Sequence, residues 1–154
     1  MLNSNFFESI KKRLDKLDEN SLRSILSDAI EESAMLKTVF NSMNEGVLVL
    51  NNDLRIFFAN KMAIKNLKIN SVSISNEPID NVISNEKIVK IITETIKNEE
   101  KLISREIKVS GKNYISLSIY PLVKSSKIIG SILIIDDISL SKENELKLLR
   151  AENL

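Results

Sequence analysis

Two apolar runs around a polar turn, "NYISLSIYPL", "VKSSK" and "IIGSILIID", constrain this chain more than any other feature. In the first run Ile115, Leu117 and Ile119 alternate with Ser116, Ser118 and Tyr120. Successive side chains of a strand project to opposite faces, so this spacing predicts one wet face and one buried face. The second run, with Leu133 and Ile135, is almost continuously apolar, as expected of a central strand. So short a turn pairs the two runs antiparallel, and "LISREIKV" enters them through "SGK" as a further strand.

The same period appears earlier. "GVLVL" from Gly46 reads as a buried strand, "NNDL" as a turn whose Asn and Asp tolerate left-handed backbone, and "RIFFA" as the return strand. Phe57, Phe58 and Tyr114 are expected to be packing residues. Asn60 stands where its side-chain oxygen can cap a short helix, "KMAIKNL". Residues 68–85, rich in Asn and Ser and holding Pro78, read as loop with one helical turn. In "EKIVKIITETIKN" (86–98), Ile88, Ile91, Ile92 and Thr95/Ile96 share one helical face. The expected class is α+β: a five-stranded antiparallel sheet with small helices on one face.

Helical segments flank this core. Residues 4–18 place Phe7, Ile10, Leu14 and Leu17 on one stripe, and "DENS" then offers Asn20 or Ser21 as a new N-cap. Leu22, Leu26, Ala29, Ser33, Leu36, Phe40 and Met43 follow at heptad spacing. Two readings stay open, a helix packed on its own domain and the seam of a parallel dimer. "ISLSKENELKLLRAENL" is a last helix, with Ser139 or Ser141 as its cap and Leu146 and Leu149 continuing a seam. Its stripe runs to the end of the chain, which suggests an element that continues further.

Composition removes whole classes of function. Histidine and cysteine are absent, so disulfides, thiolate metal sites and the commonest general base and haem ligand are excluded. Three glycines, Gly46, Gly111 and Gly130, stand too far apart for a phosphate-cradling loop. The net charge of +1 gives no field for nucleic acid or anionic membrane. The apolar runs are too short to span a bilayer and no leader opens the chain, so the expected address is cytoplasmic. Asp53, Glu77, Asp80 and Glu86 fall in loops and helix starts, and adjacent Asp136 and Asp137 must point to opposite faces. No catalytic residue and no metal site are expected, and the chain by itself is not expected to be an enzyme.

The order of elements and several motifs together resemble a PAS sensor domain of a bacterial two-component sensor histidine kinase. "EGVLVLNNDLRIFFAN" looks like the family's first two strands, and "GKNYISLSIYPL" with "IIGSILIIDDIS" like its last two. Asp137, Ile138 and Ser139 match the family's terminal Asp-Ile-Ser/Thr motif, and "KENELKLLRAENL" resembles its connector to the phospho-acceptor helix. The resemblance implies an N-terminal dimerisation extension (1–35), a PAS domain (36–139) and the start of a signalling helix (140–154). It also implies a kinase region absent from this chain, a response regulator as its partner, and a homodimer paired as a coiled coil through Leu22, Leu26, Ala29, Leu36, Phe40, Leu146 and Leu149.

Asp137 and Ser139 would act mechanically at the strand-to-helix joint, bonding backbone or basic groups, with Arg55 and Arg105 as candidate partners. The alternative for Asp137 is a plain helix cap. Ile115, Leu117, Ile119, Leu133 and Ile135 would face the family's pocket. All are aliphatic, so no tightly bound cofactor is expected. The interior is either filled core or a site for a small apolar ligand. Outputs other than a kinase, such as a cyclase or transcription activator, and a helix-mediated scaffold are the alternatives.

Overall fold

Residues 19–69 and 73–152 are described by the computed structural model. The helix expected over 4–18 lies outside them, as do the side chain of Leu22 and residues 153–154. The chain divides into two units at Ser42 and Met43.

The first unit holds α1 (Glu19–Ser42), 24 residues and so about 36 Å long. Asn20 and Ser21 lie inside this helix, so neither caps it. Leu26 is exposed along it, whereas Ala29, Leu36 and Phe40 are half-buried.

The second unit runs β1 (Gly46–Asn51), β2 (Ile56–Ala59), α2 (Lys61–Asn66), α3 (Ile79–Val82), α4 (Glu86–Lys97), β3 (Leu102–Ser110), β4 (Asn113–Lys124), β5 (Lys127–Asp137) and α5 (Ser139–Glu152). The sheet order is β2-β1-β5-β4-β3, and every neighbouring pair is antiparallel. The last strand in sequence is therefore the central one, consistent with its nearly unbroken apolar run. Register sets Leu48 opposite Leu133 and Leu133 opposite Ile119, with Ile135 opposite Leu117. These side chains fill one face. Ala63, Ile79, Val82, Ile88, Ile91 and Ile92 of the helices close over them in a single cluster. Each fully buried Leu or Ile there contributes about 1.5–3 kcal/mol through removal of apolar surface from water.

α4 is capped by Asn85, whose side chain accepts the N–H of Ile88 at 3.1 Å, and its isoleucines turn inward at helical spacing. The outer edge of β2 is not left bare. Asn76 N donates to Ile56 O at 2.8 Å and Ile56 N donates to Glu77 O at 2.9 Å, which satisfies the backbone of Ile56 on that edge.

Three local expectations are corrected. In the β1–β2 turn, left-handed backbone falls on Leu54 (φ 61), not on Asn or Asp. Asn51 instead uses its side-chain oxygen as the turn's acceptor, from Asp53 N at 2.9 Å and Arg55 N at 3.0 Å. That clamp leaves the left-handed position to Leu54, whose side chain packs against the core. Phe57 is 74% exposed and is not a packing residue. A register shift pairs Val49 with Phe58 and Leu50 with Ile56, so Phe57 bulges out of the ladder. The outer face of β4 is also less wet than its serines imply. Ser118 is buried because its hydroxyl accepts the N–H of Ser104 at 2.9 Å, at an irregularity in β3.

Candidate functional site

The joint between β5 and α5 is assembled from side chains of three strands and the helix's own first turn. β4 runs antiparallel to β5 with Ile115 opposite Asp137, which brings Tyr114 to the point where β5 ends. Ile138 N donates to Tyr114 O at 3.0 Å, extending the ladder by one bond. The Ser139 hydroxyl then accepts the Tyr114 N–H at 3.0 Å and lies 3.4 Å from Tyr114 O. Ser139 therefore does not cap its own helix; its oxygen is committed to β4. Asp137 Oδ1 accepts Ser139 N at 3.0 Å, an Asx-type turn that redirects the chain from strand to helix.

The Ser139 hydroxyl first, then the Ser139 backbone N–H, hold the Asp137 carboxyl below its usual range. Burial opposes them, and Lys65 adds a favourable charge. The 3.4 Å contact to Tyr114 O is long, which leaves the hydroxyl proton able to turn to the carboxylate. Neither expected arginine partners Asp137. Arg55 sits before β2 at the far edge and donates to Asn76 O at 2.8 Å, while Arg105 lies on β3, separated from β5 by β4.

One turn further on, Lys142 Nζ reaches Glu106 of β3 at 2.6 Å and Glu145 at 3.2 Å, and stands 5.9 Å from the centre of the Tyr114 ring. The contact with Glu106, followed by that with Glu145, raises the Lys142 pKa. Sequence reading missed Lys142 and Glu106. The available signal was the i, i+3 spacing of Ser139 and Lys142, which puts both on one helical face. α5 otherwise presents Leu140, Leu146, Leu148 and Leu149 exposed.

On the β1 side of β5 Asn60 does more than cap α2. Its Oδ1 accepts from Ala63 N at 2.9 Å and from Val47 N at 2.8 Å, and its Nδ2 donates to Glu45 O at 3.0 Å. Asn66, also buried, donates to Ile135 O at 3.2 Å and ties α2 to the central strand. Its i, i+3 spacing from buried Ala63 was the sequence signal for it. α2 and β1 come close because Gly46 lacks a side chain: a Cβ there would stand 2.8 Å from Ala63 Cα.

The interior-facing residues Ile115, Leu117, Ile119, Leu133 and Ile135 are all buried in the one core cluster. Among the clefts that the described residues form elsewhere, one of about 330 Å³ lies between the β1–β2 turn and the end of α4 and one of about 580 Å³ along α4. None of the five residues lines either. Among the described residues no acidic cluster is arranged to hold a metal ion, and no helix is long and apolar enough to cross a membrane.

This geometry coincides with a known family. The PAS fold family matches residues 34–138, and the chain belongs to that family. Histidine kinase ThkA, in complex with the response regulator protein TrrA, is similar in structure at TM-score 0.64 and 20% identity, over 75% of this chain and 35% of that one. The isolated PAS domain of ThkA matches at TM-score 0.52 and 21% identity, over 62% of this chain and 100% of that one. An RNA-binding Light-Oxygen-Voltage receptor matches at TM-score 0.59 and 11% identity, over 79% and 37%. This chain thus spans about a third of the two longer proteins. No curated protein matches it in sequence. As a PAS domain, residues 34–138 form a sensor module.

Proposed function

We propose that this chain is the sensory module of a cytoplasmic sensor histidine kinase, passing the state of its sheet through α5 to a kinase region outside these residues. One observation carries the reading: the first turn of α5 is bonded through Ser139 and Ile138 to Tyr114 of β4, and through Lys142 to Glu106 of β3. A displacement of β4 or β3 relative to β5 must therefore rotate or shift the helix, the kind of two-state element that switches use. Asp137, Ile138 and Ser139 form the coupling, and a response regulator is the downstream partner.

The module works as a homodimer. Leu22, Leu26, Ala29, Leu36 and Phe40 form one seam, and Leu146 and Leu149 the other, at the spacing of a coiled coil. The interior is a filled aliphatic core; a small apolar ligand among Ile115, Leu117, Ile119, Leu133 and Ile135 is the alternative. The match to an RNA-binding receptor favours a second reading, in which the same module feeds a different output.

The chain contains no cysteine, so single cysteines report cleanly on pairing. Light scattering should give a dimer mass, and cysteines at 146 or 149 should cross-link more readily than one at 148. A monomer without such cross-links sinks the dimer. Fused in register to the kinase region of ThkA, the chain should alter autophosphorylation, and Ser139→Ala should change that effect severalfold. Equal rates in the two fusions would remove the proposed coupling, and a fusion that leaves kinase activity untouched would favour another output.

A further inference from the structure

We propose that the cleft bounded by the β1–β2 turn, the C-terminal end of α4 and the β4–β5 hairpin is a binding site for a small aliphatic amine. The inference stands apart from the signalling reading and concerns a different part of the fold.

Its floor contains Ser131, which is 5% exposed. Register sets Ser131 opposite Leu50 and Pro121, on the same face as Leu133 and Ile135, at a position where the deeper members of the row are aliphatic. Among the described residues the Ser131 hydroxyl has no hydrogen-bond partner, and it is not sealed off but opens into the cleft. Its partner therefore comes from the cleft, as water or as a bound group that takes the place of water.

Around it the floor is apolar, from Leu54, Ile96, Pro121 and Ile128. The rim is negative: Asp53, Glu99 and Glu100 outnumber Lys97, and none of the three carboxylates is ion-paired with a described residue. Glu99 and Glu100 also follow the last turn of α4, the negative end of its dipole. Asn52 Nδ2 donates to Ile128 O at 2.9 Å, bracing one wall and leaving its Oδ1 as a further acceptor. Acceptors and negative charge above an apolar floor select a cationic head on a short aliphatic body. The volume of about 330 Å³ suits a small molecule.

The test is amide NMR of the 154-residue chain titrated with n-pentylamine, and in parallel with 1-pentanol as a neutral match of similar shape. Saturable shifts are expected at Leu54, Ile96, Glu99 and Ser131, with pentanol binding at least about tenfold more weakly. The double variant Glu99→Gln/Glu100→Gln should raise the dissociation constant about 3- to 10-fold, the range expected for two partly screened charge contacts. Ser131→Ala should weaken the amine about threefold, as loss of one modest hydrogen bond implies, without lowering the melting temperature. Absence of saturable shifts, equal binding of pentanol, or shifts centred on Ile115, Leu117 and Ile119 would each overturn the proposal. So would a lysine-rich peptide binding more tightly than pentylamine, which would assign the cleft to a protein partner.

Discussion

The hydroxyl of Ser139 accepts the backbone N–H of Tyr114 at 3.0 Å, so the first turn of α5 is bonded to a strand other than the one it follows in sequence. Replacing Ser139 with alanine leaves a part-buried N–H without its acceptor. The expected loss is about 1–2 kcal/mol of unfolding free energy. Ser139→Thr keeps the oxygen and should retain most of it. Urea unfolding checks this: the midpoint should fall in the alanine variant with the slope unchanged.

Asn60 gives a larger effect. Its amide oxygen serves two backbone donors, Val47 N and Ala63 N, and its amide nitrogen serves Glu45 O, all from a fully buried position. Asn60→Ala removes the cap of α2 together with the anchor of β1, and should cost about 2–4 kcal/mol. Asn60→Asp keeps both acceptor bonds but sets a carboxylate against the Glu45 carbonyl, so its stability should fall between wild type and alanine. Urea midpoints in that order support both the acceptor and the donor roles, whereas an aspartate variant as stable as wild type would mean that the bond to Glu45 O adds nothing.

The β4–β5 turn can be improved. Ser125 (φ 50) and Ser126 (φ 63) both hold left-handed backbone between the paired residues Lys124 and Lys127. Two successive left-handed residues are the requirement of a type I′ hairpin, which Asn-Gly meets with less strain than Ser-Ser. The double variant Ser125→Asn/Ser126→Gly should stabilise the protein by about 0.5–1.5 kcal/mol, as relief of two strained positions implies. Thermal unfolding would show a higher midpoint, and an unchanged or lower one would contradict the turn geometry.

Where a residue's chemistry repeats along an element, the sequence disclosed its place. The alternation of Ile115, Leu117 and Ile119 marked a strand, the spacing of Ile88, Ile91 and Ile92 a buried helical face, and the position of Asn60 a cap. Contacts that depend on register between distant strands were not legible. The bulge that turns Phe57 outward exists only because Val49 meets Phe58 while Leu50 meets Ile56. The meeting of Lys142 with Glu106 likewise depends on β4 bringing β3 beside the start of α5. Leu54 shows a third limit: Asn51 offers turn chemistry in either of two ways, and the side-chain acceptor won over left-handed backbone.

The Asp137 carboxyl gives the joint an acid dependence whose sign is fixed by its depressed pKa. A carboxyl that ionises more readily in the folded state than in the unfolded chain stabilises the fold wherever both are ionised. That contribution is fully present above the ordinary aspartate pKa of about 3.9 and fades as pH falls through the lower, folded value. Asp137→Asn should therefore lower the melting temperature at pH 7 and lose less on acidification below about pH 4 than wild type does. Because Asp137 is exposed, the effect should shrink in high salt only so far as Lys65 contributes, while the part due to Ser139 persists. Melting temperatures of both proteins from pH 7 to pH 2 decide it: parallel curves would show that the carboxylate is not held by Ser139.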